Sequence, residues 1–148
     1  MRQATPEFHD LARRLLAHET GGQQSVIALE AASQRACQKL HQQLAKLIGP
    51  AGFNMCFVRA MHLAAAEFPF LKSVRMEAQS ERCLTGLRES VEAQDPGEAT
   101  RAMAALLASF LWLLSSFIGE DMTLRQVRRV WPEFPGGELR SGQKEERG

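Results

Sequence analysis

A chain of 148 residues that is 45% hydrophobic and 24% charged can bury one core without metal or crosslinks. Its eighteen basic side chains nearly balance seventeen acidic ones, for a net charge of +1, and no segment carries a strong surplus of either sign. That balance argues against a nucleic-acid partner and against an anionic membrane surface, both of which call for concentrated positive charge.

The first element predicted is an amphipathic helix over 5–19. Thr5 and Pro6 supply a capping residue and a first-turn proline, and Phe8, Leu11, Ala12, Leu15 and Leu16 recur on one face. The run TGGQQS breaks it. A long helix follows from Ser25 to Ile48, with Leu29, Cys37, Leu40 and Leu44 on its apolar side, until Gly49-Pro50 stops it. A third helix occupies 50–67 and ends at Phe68-Pro69, because the residue before proline disfavours the α region. Residues 69–79 give no clear period, beyond a buried Phe70, Leu71 and Val74. Ser80 reads as the cap of a helix using Leu84, Leu87 and Val91. Asp95-Pro96 then opens the helix that carries the longest uncharged stretch of the chain, with Glu98 placed to close a capping box. From Ala102 to Ile118 there is no charge in seventeen residues, just short of the roughly 20 that span a bilayer.

Such a helix needs apolar neighbours on every side. The expectation is a central core helix, with Leu107, Phe110, Leu111, Leu114 and Phe117 offering a seam to a second copy of the chain. Gly119 closes it. A short last helix follows, where Thr123 and Gln126 match a capping box and Leu124, Val127 and Trp131 share a docking face. Its arginines, Arg125, Arg128 and Arg129, fall on an adjoining arc that could meet a partner. No strand and no internal repeat is expected. The fold class is therefore all-α: one helical bundle domain over 1–134, of about five main helices plus a short C-terminal one, and a polar, flexible charged tail over 135–148. The start MRQATPEF and the polar end read as the two ends of a whole chain.

Cys37, Cys56 and Cys83 are odd in number and widely spaced, without a CxxC pair. Together with an N-terminus lacking a secretory pattern, this predicts free thiols and a cytoplasmic location. Cys37 and His41 stand four apart on one helix, a spacing that suits two metal ligands, but Cys56 and His62 do not complete the set. His62 lacks the context of a haem ligand, and the Thr-Gly-Gly after His18 and Glu19 breaks the helix a phosphotransfer histidine would need. No nucleophile motif and no phosphate-binding glycine loop is present. No cofactor, metal or catalytic residue is therefore assigned.

The leading expectation is a non-catalytic adaptor or regulator that acts through protein–protein contacts, as a homodimer. Its alternative is a sensor holding a small apolar ligand among Phe53, Phe57, Met61 and Phe68. A nucleic-acid-binding regulator using the arginines of the last helix stands third.

Overall fold

The computed structural model describes residues 5–77 and 83–134. Five helices pack together: α1 (Pro6–Thr20), α2 (Val26–Glu67), α3 (Leu87–Glu92), α4 (Pro96–Ile118) and α5 (Glu120–Val130). Between α2 and α3 lie a 3₁₀ turn (Pro69–Ser73) and two short antiparallel strands, β1 (Arg75–Met76) and β2 (Leu84–Thr85).

The predicted starts of α1 and α4 form as the sequence dictates. Thr5 accepts a hydrogen bond from the Phe8 amide at 3.4 Å, and Asp95 accepts one from Glu98 at 3.0 Å. Ser25 caps α2 in the same way, on the Ala28 amide at 3.0 Å. Each side chain satisfies a backbone donor that has no partner inside its helix. Glu98 does not reach back to complete a box; it pairs with Arg101 one turn on.

α2 is a helical hairpin. Gly49 adopts φ 83° and ψ 156°, a conformation disfavoured for a residue with a Cβ, and Pro50 starts the second half. A straight helix would hold His41 and Phe53 about 18 Å apart at 1.5 Å per residue. Their rings instead meet edge-on at 5.0 Å. Ala36, Cys37 and Leu40 of the first half likewise share a cavity wall with Phe57 of the second. The stop expected at Gly49-Pro50 is thus a sharp reversal.

α4 runs through the middle. Its ten consecutive residues 102–111 are all buried, so every side of the helix is covered there by α1, both halves of α2 and α5. Phe110 packs against Phe53 and Phe57, with ring centroids 5.4 Å from each. α4 is long and apolar enough to cross a membrane, yet 61% of its most apolar window is buried inside the fold. Within this bundle it is the core helix.

Three expectations are corrected between residues 69 and 95. The ambiguous segment is a 3₁₀ turn that leads into β1, so strands do occur. Ser80 lies outside the described residues, but the helix assigned to it begins only at Leu87; Leu84 belongs to β2. Gly86 explains the late start. It sits at φ 79°, and a Cβ there would stand 2.7 Å from the carbonyl oxygen of Ser73. The chain can pass this point only without a side chain.

The third correction concerns the thiols. Cys37 and Cys83 form a disulfide, with Cα atoms 6.1 Å apart, and Cys56 alone is a free cysteine among the described residues. The spacing argument failed because α2 and β2 become neighbours only in the folded chain. With the pair joined, the thiol argument for a reducing cytoplasm falls away. The bridge closes a loop with a sequence separation of 46, worth about 4 kcal/mol in the loop-entropy account. Thiol titration of the denatured, unreduced protein should report Cys56 alone, and Cys83→Ala should lower stability by about 2–4 kcal/mol in denaturant melts. Three titrating thiols would contradict the pairing.

Candidate functional site

The arginine arc is where the sequence put it, at the surface of α5, but it encloses nothing. Arg125 and Arg129 are exposed, and Arg128 is half-buried, with Nη1 shielded from solvent and without a hydrogen-bond partner. The capping box proposed at Thr123 and Gln126 does not form. α5 begins three residues earlier, at Glu120, so both lie inside the helix. Thr123 Oγ1 donates to the Gly119 carbonyl at 2.8 Å, and Gln126 Oε1 accepts from Gln43 at 2.9 Å. Leu124, Val127 and Trp131 are buried together and dock α5, as their spacing implies.

Four of the five seam residues, Leu107, Phe110, Leu111 and Leu114, are inside the chain's own core. The seam was inferred from a shortage of apolar partners for α4, and the α2 hairpin removes that shortage by presenting two helical faces. Of the five, a second copy could reach only Phe117, which is 65% exposed. Phe53, Phe57, Met61 and Phe68 are equally buried. Phe57 borders a small apolar cleft of about 20 Å³, room for one water and not for a ligand. Cys37 is committed to the disulfide and His41 packs on Phe53, so this pair is not placed to bind a metal. Among the described residues no group of three or more potential metal ligands is gathered.

Two polar clusters went unread in the sequence. At the end of α1 the Glu19 side chain is 3% exposed and receives Trp131 Nε1 at 2.7 Å, Arg35 Nε at 2.9 Å and the Lys39 ammonium. Arg35 also donates to the Glu19 carbonyl at 2.7 Å. Next to it, His18 meets Glu133 at 3.1 Å and the Phe134 ring at 5.7 Å. This cluster fastens the chain after α5 to the end of α1. Burial pushes the Glu19 carboxyl pKa up, but hydrogen bonds from Lys39, Trp131 and Arg35 outweigh it and hold the carboxyl below its ordinary value.

The second cluster fastens β2 to α2. Gln34 Nε2 donates to the Leu84 carbonyl at 2.6 Å, and the Leu84 amide donates to Gln34 Oε1 at 2.8 Å. The carboxamide thus pairs with the strand edge as a peptide group would. Glu30 accepts from the same Nε2 at 3.1 Å and faces Arg88 at 3.6 Å. Cys83, beside Leu84, adds the covalent tie.

A further surface feature lies beside β1. The second half of α2 and residues 71–77 enclose an open groove of about 660 Å³. Met61, Ala65, Leu71 and Val74 are its buried floor; Val58 and His62 stand on one rim, Lys72 and Arg75 on the other. Met55, 74% exposed, continues the α2 rim at the i, i+3 spacing that puts it beside Val58. No protein-family model, curated protein or solved structure matches the chain.

Glu19→Gln should lower stability by about 2 kcal/mol at neutral pH, since charge-assisted hydrogen bonds to a covered group are lost. Because the folded-state pKa is lowered, the carboxylate's contribution is fully present above the unfolded value. It disappears as the pH falls through the folded one. Urea melts of the two proteins should therefore differ at neutral pH and converge in acid; a constant gap would contradict the assignment.

Proposed function

We propose that the chain is a non-catalytic helical module that works through protein contacts, and that its contact surface is the groove between the second half of α2 and residues 71–77. One observation carries this reading: an apolar floor left open between walls, continued by exposed Met55 and Val58. A contiguous apolar patch left in water on a well-packed domain marks a surface that another molecule covers. The apolar-ligand alternative finds less support, since Phe53, Phe57 and Phe68 fill the core and Met61 alone of the four borders the groove. The nucleic-acid alternative rests on arginines that share α5 and its flank with Glu120, Asp121 and Glu133.

The test is a comparison of tagged wild type with a Met55→Asp, Val58→Asp double variant, each recovered from its native host and weighed intact with whatever it retains. Both positions are exposed, so the variant should melt within about 0.5 kcal/mol of wild type. A stoichiometric partner held by wild type and released by the variant is the expected result. Equal retention by the two proteins contradicts the proposal.

A further inference from the structure

Resting on that reading, we infer that the groove receives its partner as an extended acidic peptide, added as a third strand along the free edge of β1. The register of the strand pair carries the argument. Arg75 lies opposite Thr85 and Met76 opposite Leu84, and the Glu77 amide donates to the Cys83 carbonyl at 2.7 Å. The bonded positions thus flank Met76, and Met76 and Leu84 form the pair that exchanges no hydrogen bonds. The amide and carbonyl of Leu84 point away from β1, where the Gln34 carboxamide takes both. By the same geometry those of Met76 point off the opposite edge, and they have no partner among the described residues. One edge of the sheet is closed by a side chain that imitates a strand. The other is open.

The open edge belongs to a segment that walls the groove, as strand addition requires: main-chain bonds hold the peptide while alternate side chains drop onto an apolar floor. Charge selects the peptide. Lys72 and Arg75 are exposed on this wall and form no ion pair with any described residue, against Glu77 as the acid of the lining. Carboxylates on the solvent-facing positions of the incoming strand would answer them; lysines would be repelled.

The probe is a short synthetic peptide of alternating valine and glutamate, titrated into isotope-labelled full-length protein and followed by amide NMR. The largest shifts should fall on Met76 and its neighbours, with slowed hydrogen exchange at the Met76 amide. Lysine in place of glutamate should weaken binding at least about tenfold, and so should an N-methylated central valine. Met76→Pro removes the protein's own donor and should do the same; if it does not fold, the N-methylated peptide tests the reciprocal bond, from the peptide amide to the Met76 carbonyl. Strand addition is overturned if the peptide leaves residues 71–77 unmoved, or if the methylated peptide binds as well as its parent. The contact reading fails separately, through a Met55→Asp, Val58→Asp variant that keeps its partner.

Discussion

The constraint on which the fold depends is the uncharged helix α4. Ala102 to Ile118 carries no charge, and its stretch 102–111 is covered on every side, so the remaining helices must supply apolar surface all round it. Burial of one Leu or Phe side chain contributes roughly 1.5–3 kcal/mol, so a covering that fails along even one stripe would cost more than the net stability of a typical domain. The α2 hairpin is the decisive part of the answer. By reversing at Gly49 it lays two helical faces against α4 where one straight helix could lay one.

Apolar packing does not by itself fix where a helix end or a short strand comes to rest, and two polar fastenings do this. Glu19 gathers Trp131, Arg35 and Lys39, which ties the segment just after α5 to α1 and α2 at once. Gln34 and the Cys37–Cys83 bridge hold β2 to α2. Both fastenings are satisfied hydrogen-bond networks, so the cost of covering their polar atoms is offset by geometry that admits one arrangement. With β2 clamped to the bundle, β1 is held at a fixed height over α2, and the groove and its free edge follow.

Much of the bundle was legible in the sequence because it depends on local chemistry. Thr5-Pro6, Asp95-Pro96, Gly49-Pro50 and Phe68-Pro69 act within one turn of themselves, and the apolar period of α1 and α5 named the residues that are buried. What escaped reading depends on distance. Nothing near Cys37 announces Cys83, nothing near Gln34 announces Leu84, and Glu19 meets Trp131 across most of the chain. The residues named for a dimer seam were drawn from the same gap: α4 looked short of neighbours until α2 was folded in two, and four of the five lie in the chain's own core. The capping box at Thr123 failed differently, since Gly119 allowed α5 to start at once and carried both residues into the helix. The groove has no sequence signature, because its floor mixes α2 residues with those of a 3₁₀ turn and a strand.

One copy of the chain, unaided, encircles α4 over residues 102–111. Native-state hydrogen exchange at two protein concentrations far apart reads this residue by residue. Protection should be greatest across 102–111, extend to the facing turns of both halves of α2, and be the same at both concentrations. Protection of α4 that is weak in dilute solution and grows with concentration, or that requires detergent, would contradict it.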